Sequence, residues 1–97
     1  MLQTNFANIK LAAKVLRSLN HKLRQDILVL IDLNNKINVT DIYVKMRLDQ
    51  PVVSQHLAIL RTAGIVTTER DGKVIYYSVN YKKLEEVNFL SKKLIDK

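Results

Sequence analysis

The sequence of 97 residues contains no cysteine, two glycines and one proline. Without cysteine, the protein has no disulfides, no thiolate zinc sites and no thiol redox chemistry. So little glycine and proline leaves little material for long loops or flexible linkers. No apolar run approaches the ~18 residues of a membrane span, and the N-terminus lacks the apolar core of a signal peptide. We therefore expect a soluble, cytoplasmic protein without a membrane partner.

The sequence is rich in apolar residues and carries an excess of basic ones. The apolar fraction is 47%, which is typical of a packed globule rather than a disordered chain. The length predicts a single domain over 1–97. There are 16 Lys and Arg against 9 Asp and Glu, a net charge of +7. This balance makes polyanions the leading partners.

The first two predicted helices are identified by apolar residues spaced three and four positions apart. One covers 4–19. The second follows Asn20, a suitable N-cap, and ends at Asn34-Asn35, because asparagine tolerates the left-handed conformation that closes helices. Three further apolar residues widen its stripe, so we expect the core to surround this helix: Leu28, Val29 and Leu33.

A short helix and a longer one follow, separated by a brief break. The short helix runs from Val39 to Met46, with Thr40 as its N-cap. The longer helix runs from Pro51 to about Ala63, since proline suits the first helical position and Gly64 stops the helix. Two helices joined by a tight turn predict a helix-turn-helix over 39–63.

After Gly64 the pattern changes to two stretches rich in β-branched and aromatic residues. These strands flank Asp71-Gly72, a pair preferred by type I′ turns, and predict a hairpin over 65–79. A last helix is predicted over 81–95. The order α-α-α-α-β-β-α describes a mainly α fold with a β-hairpin wing, a winged helix-turn-helix.

The helix that begins at Pro51 carries the candidate functional residues. If Val53, Leu57 and Leu60 face the core, the opposite face is largely polar. In a helix-turn-helix the second helix enters the major groove of DNA, where glutamine pairs with adenine and valine touches a thymine methyl. On an ordinary helix the same face would simply be solvated. The candidates for base-edge contact are Gln50, Val52, Ser54, Gln55 and His56.

Basic residues near this helix and on the hairpin are the candidates for phosphate contact. They are Lys36, Lys45, Arg47 and Arg61, with Arg70 and Lys73 of the wing reaching the neighbouring minor groove or backbone. The wing tip is nearly balanced in charge, because Glu69 and Asp71 accompany its two basic residues. That balance favours an alternative class, a winged-helix protein–protein interaction module that does not read DNA.

Three stretches resemble the ArsR (arsenical-resistance repressor) family of regulators. QPVVSQHLAILRTAGIV, residues 50–66, is similar to the family's recognition helix, and RDGKVIYY, residues 70–77, to its wing. LNHKLRQDIL, residues 19–28, is similar to the start of its second helix, although Lys22 stands where proline is common. The resemblance covers roughly residues 15–80. It implies a homodimeric bacterial repressor that binds double-stranded DNA at an inverted repeat, with the first and last helices forming the dimer interface.

The amphipathic character of the two terminal helices independently supports a dimer. A small core does not easily bury both apolar faces, although each could instead cap its own monomer. The predicted interface residues are Phe6, Ile9, Ala13 and Leu16 of the first helix and Leu84, Val87, Leu90 and Leu94 of the last.

The metal sites of the family are not matched by this sequence. Where the resemblance implies a Cys-x-Cys-type site, residues 38–42 read NVTDI and offer no thiolate. Where it implies Asp and His ligands on the last helix, lysine, asparagine and glutamate stand instead, and no histidine follows His56. We therefore expect no metal and no cofactor, and His21 to bond near a helix N-terminus. A small organic effector, a partner protein or no effector at all stay open.

The sequence contains no motif that indicates an enzymatic activity. The sequence has no local Ser/His/Asp signature and no glycine-rich phosphate loop. Asp41 and Asp49 are readily explained as residues at helix starts. The sequence thus predicts a regulator of transcription rather than a catalyst.

Overall fold

A computed structural model of the protein describes residue 10 and residues 13–87. The elements follow in the predicted order, with one added strand. They are helical residues 13–19 (α1), α2 (Lys22–Asn34), β1 (Ile37–Asn38), α3 (Val39–Met46), α4 (Gln50–Thr62), β2 (Val66–Asp71), β3 (Val74–Val79) and helical residues 81–87 (α5). The winged helix-turn-helix is confirmed. The outer parts of both predicted terminal helices, with Phe6, Ile9, Leu90 and Leu94, lie outside the described residues.

The three strands form one antiparallel sheet in the order β1-β3-β2. β2 and β3 pair from Val66–Val79 to Asp71–Val74, while Ile37 of β1 pairs with Tyr77. β1 was not predicted, because two residues show no alternation and the partner strand lies far along the chain. β1 directly precedes α3 and pairs with β3, so the sheet links the start of the helix-turn-helix to the wing.

The hairpin turn differs from the sequence prediction by one residue. Asp71 belongs to β2 and pairs with Val74, so the loop residues are Gly72 and Lys73 rather than Asp71 and Gly72. Of these two, Gly72 alone has a positive φ, at 63°. One positive φ at the first loop position fits a type II′ turn, whereas type I′ requires two. The type I′ prediction is therefore wrong.

Both predicted N-caps are wrong, whereas both predicted C-terminal stops are confirmed. The Nδ1 atom of His21 caps α2 by accepting a hydrogen bond from the Leu23 N–H at 3.2 Å, in place of Asn20. Asn38, with the extended backbone that a cap requires, caps α3 in place of Thr40. Asn35 and Gly64 take positive φ values of 67° and 79° at the ends of α2 and α4.

The core lies between α2, the helix-turn-helix and the base of the hairpin. Six of its residues are completely buried along the three central helices: Ile27, Ile31, Ile42, Val53, Leu57 and Leu60. Val15 of α1 and Val87 of α5 are also buried in this single chain, and Leu16 and Leu84 pack beside them.

The prediction that the core surrounds α2 is wrong. Val29 is 57% exposed and Leu33 is 77% exposed, while Leu28 packs partly against the core. The completely buried residues of this helix are Ile27 and Ile31, which lie one turn apart on the same face. The opposite side of α2 faces solvent. Among the described residues, no helix is long and apolar enough to cross a membrane.

Candidate nucleic-acid interface

A tight turn of three residues joins α3 to α4. Arg47 adopts the left-handed conformation (φ 56°, ψ 45°), and the Leu48 N–H donates to the Tyr43 carbonyl at 3.0 Å, as in a Schellman closure. Pro51 then lies in the first turn of α4, where its missing N–H costs no hydrogen bond. The turn and the buried Ile42 therefore fix the direction in which α4 leaves the domain.

α4 has one buried side and one exposed side. Val53, Leu57 and Leu60 are completely buried, which confirms the core face predicted from the sequence. Four of the five candidate base-reading residues lie exposed within the first two turns: Gln50, Val52, Ser54 and Gln55. Amide, hydroxyl and methyl groups are therefore exposed at the N-terminal end of the helix. Their hydrogen-bond donors and acceptors are of the kinds that bind base edges.

His56, the fifth candidate, lies apart from this exposed group. Its ring is half-buried, with its centroid 4.8 Å from that of His21 at the start of α2. Its Nδ1 atom is buried and lacks a hydrogen-bond partner among residue 10 and residues 13–87. Desolvation, and then the nearby His21 and Arg24, lower the pKa of His56 below its usual 6.5. The ring is therefore neutral at pH 7, and it braces α4 against α2.

The candidate phosphate-contacting residues are all exposed but do not form one group. Lys45 Nζ lies 3.4 Å from Asn34 Oδ1, and Arg47 lies in the turn before α4. Arg61 stands in the last turn of α4, about 16 Å along the axis from Gln50 at 1.5 Å per residue. At the wing tip, Nε of Arg70 donates to the Gly72 carbonyl at 3.0 Å, and Lys73 occupies the loop.

Lys36 is engaged in contacts with the wing. Its Nζ lies 3.9 Å from a carboxylate oxygen of Glu69 and 5.1 Å from the centroid of the Tyr76 ring. Because these partners belong to β2 and β3, Lys36 ties the segment before β1 to the hairpin. The Lys36 side chain is still 53% exposed, so its charge also remains at the surface.

Asn80 is a positioning residue that was not predicted from the sequence. Its Nδ2 donates to the Gly64 carbonyl at 3.0 Å, and its Oδ1 accepts from the Lys83 N–H at 3.1 Å. The Asn80 N–H also donates to the Ile65 carbonyl at 2.7 Å. These bonds clamp the end of the wing to the end of α4. The signal that sequence reasoning could have used is an asparagine directly before a helix.

The part of the chain that the structure describes holds no group of three or more His, Cys, Asp and Glu that could bind a metal ion. The cluster at the two histidines instead contains Arg24, whose charge opposes a cation there.

Comparison with known proteins identifies the family. The model for bacterial regulatory proteins of the arsR family matches residues 21–68, from α2 into β2. The transcriptional repressor PagR of Bacillus anthracis is 35% identical over 75 residues, which cover 77% of this chain and 75% of PagR. The transcriptional activator HlyU of Vibrio cholerae serotype O1 is 30% identical over 79 residues, covering 81% and 72%.

A solved structure agrees with these sequence matches. The crystal structure of PagR aligns with a TM-score of 0.74 at 30% identity, covering 88% of this chain and 98% of PagR. The resemblance inferred from the sequence is confirmed. The chain belongs to the arsR family of bacterial regulatory proteins and is a DNA-binding transcriptional regulator, not an enzyme.

Proposed function

We propose that the protein is a homodimeric repressor that binds an inverted-repeat operator through the N-terminal half of α4 and the wing. The observation that carries this proposal is the group of exposed polar and methyl-bearing side chains on α4, opposite its buried Val53, Leu57 and Leu60. In helix-turn-helix proteins the N-terminal residues of the second helix contact base edges in the major groove. The structure exposes that part of α4.

Each exposed base-reading candidate on the first two turns of α4 has a chemical role in this proposal. Gln50 and Gln55 pair with adenine through N6 and N7, Ser54 bonds a base edge, and Val52 packs on a thymine methyl. For His56, contact with a base would require its ring to leave its place beside His21. We assign Gln55 the main share of specificity, because it is exposed on the second turn of the helix.

The basic residues at the two ends of this surface supply sequence-independent affinity. Lys45 and Arg47 flank the start of α4, while Arg70 and Lys73 lie at the wing tip. Phosphate contacts of this kind fix the register of the protein on the duplex and make affinity depend on salt. Arg61, at the far end of α4, contacts the backbone only if the DNA follows the helix along its length.

The dimer is supported by the symmetry of such operators and by the apolar pattern of the outer parts of the two predicted terminal helices. Val87, predicted at the interface, is buried in its own chain, and Leu16 and Leu84 pack against the same core. Two recognition helices related by a two-fold axis read half-sites one helical turn, about 34 Å, apart. Repression is supported by the likeness to PagR, which is named a repressor. HlyU, by contrast, is named an activator. Transcription from an operator-bearing promoter, measured with and without the protein, therefore tests whether this protein represses or activates.

The central test is selection from a random duplex pool, followed by fluorescence anisotropy of the selected duplex at several salt concentrations. We expect an inverted repeat to be enriched and log K to fall steeply with log salt. Weak, sequence-blind binding would instead favour the protein-interaction module.

Two variants separate base reading from phosphate contact. Gln55→Ala should weaken specific binding by about 1–3 kcal/mol and leave binding to random DNA almost unchanged. Lys45→Gln should weaken binding to both duplexes alike and reduce the salt slope by roughly one. Equal losses on specific and random DNA for Gln55→Ala would remove its assigned role.

The dimer is tested by analytical ultracentrifugation of the full chain. Ile9→Glu places a charge on the predicted interface and should yield monomers that keep the far-ultraviolet circular dichroism of the wild type. Lys10→Glu, which changes the exposed neighbouring residue, is the control and should stay dimeric. A monomeric wild-type protein would contradict the proposal directly.

A further inference from the structure

A second potential site lies away from the exposed N-terminal face of α4. A cavity of about 490 Å³ opens between α1 and the C-terminal half of α4. This volume falls within the range of small-molecule pockets, roughly 300–1,000 Å³. Three basic side chains line it: Lys14 and Arg17 of α1 and Arg24 of α2. Its lining among the described residues includes no acidic side chain, so the cavity is electropositive.

Arg24 is held at the wall of this cavity with part of its hydrogen-bonding capacity unused. One guanidinium nitrogen donates to the Ser18 carbonyl at 2.8 Å, which fixes the side chain. Its Nε is buried and has no acceptor among residue 10 and residues 13–87. Buried polar atoms are normally paired, so Arg24 keeps a donor that is not committed to the domain itself.

The opposite wall supplies apolar surface. Ala58, Ile59 and Ala63 of α4 line the cavity together with the hydroxyl-bearing Thr62. A pocket with several cations on one side and small apolar side chains on the other suits a molecule with an anionic group and an apolar body.

We propose that this cavity binds a small organic anion, with its carboxylate or phosphate on the three basic side chains and its apolar body against α4. DNA is a less suitable source of the anion. Ala58 lies about 12 Å along the helix axis from Gln50, the first residue of the exposed face. A bound duplex would have to cover the whole length of α4 to reach the cavity.

Occupancy of the cavity regulates the protein if it changes how α4 is held. The site is built from α1 and α4 together, so a ligand that contacts both helices favours one arrangement of the pair. Any effect on operator affinity must then be matched by an equal effect of operator on ligand affinity. This regulatory part rests on the proposed operator binding, whereas the binding site itself does not.

Binding is tested first without DNA, by amide NMR titration of the full chain. Sodium benzoate and phenyl phosphate serve as probes, with benzyl alcohol and benzylammonium as matched neutral and cationic controls. We expect saturable shifts at Arg24, Ala58 and Thr62 with both anions, and at least tenfold weaker binding of the controls. No saturable shift up to about 10 mM, the range of fragment-sized ligands, would overturn the proposal.

A pair of charge variants tests where the anion binds. Arg17→Gln removes an exposed cation from the cavity lining, while Lys22→Gln removes the same charge from an exposed side chain outside it. Arg17→Gln should weaken the binding of phenyl phosphate by roughly fivefold, as expected for a charge-assisted contact, and Lys22→Gln should not. Equal weakening by both variants would mean general charge attraction and would overturn the site.

The last step adds the selected operator duplex. A change in phenyl phosphate affinity on operator binding, matched by an equal change in operator affinity, supports regulation through the cavity, whereas unchanged affinities refute the regulatory part and keep the site. Complete displacement of the probe in proportion to bound DNA would identify these cations as DNA contacts and overturn the effector site. Probe binding without any operator binding would keep the site and refute the proposed function instead.

Discussion

Replacing Asn80 by alanine should destabilise the protein by about 2 kcal/mol. The side chain caps α5 through the Lys83 N–H at 3.1 Å, and loss of such a cap costs ~1 kcal/mol. It also donates to the partly buried Gly64 carbonyl at 3.0 Å, a bond worth a further ~1 kcal/mol. In a domain of this size, 2 kcal/mol corresponds to a fall in Tm of roughly 8–16 °C. Thermal unfolding followed by circular dichroism measures it.

Asn80→Ser is the matched control, because it separates the two bonds. Serine is a good N-cap and keeps an acceptor for the Lys83 N–H, but it cannot reach Gly64 as the longer amide does. We expect it to cost about 1 kcal/mol, half the effect of alanine. Equal effects of the two variants would show that the cap contributes nothing. If both stay within about 0.5 kcal/mol of the wild type, the clamp argument is wrong.

Three further predictions concern the core, a titrating group and the wing. Leu57→Ala should lower the free energy of unfolding by about 2–5 kcal/mol in urea titrations, because Leu57 is completely buried. Because the pKa of His56 is lowered in the folded state, the unfolded chain binds more protons than the folded one as pH falls. Stability should therefore be intact above pH 6.5 and decline as pH drops through that value, and His56→Gln should flatten this decline in Tm scans. Gly72→Ala should cost about 1 kcal/mol, seen by thermal unfolding, since its φ is 63°.

The order of elements could be predicted from the sequence because it follows from local patterns. Val53, Leu57 and Leu60 recur at helical spacing, and their burial also determines which side chains of α4 are exposed. The two stretches around Gly72 are rich in the β-branched and aromatic residues that strands favour, although the predicted loop was displaced by one residue. A turn signal locates a hairpin, but the pairing of Asp71 with Val74 is settled only by the full ladder.

The features that sequence reasoning missed depend on contacts between distant residues. β1 exists because Ile37 meets Tyr77 of β3, and two residues have no pattern of their own. The position of His56 depends on His21 at the start of another helix. On helical spacing alone, His56 looked equivalent to Gln55. The cavity beside Arg24 likewise requires three helices to be placed before it can be recognised.

The wing is fixed to the rest of the domain by side-chain contacts at two points, one of which lies at the end of the recognition helix. Lys36 joins the segment before β1 to Glu69 and Tyr76, and Asn80 joins the end of β3 to Gly64 at the end of α4. A ligand that moved the wing against α4 would have to break the hydrogen bond between Asn80 and Gly64. The cavity beside Arg24 instead lies where α4 meets α1. In the proposed dimer, α1 belongs to the interface, so a change at that junction would alter the separation of the two recognition helices. Operator affinity depends steeply on that separation, because both helices must meet half-sites one turn of DNA apart.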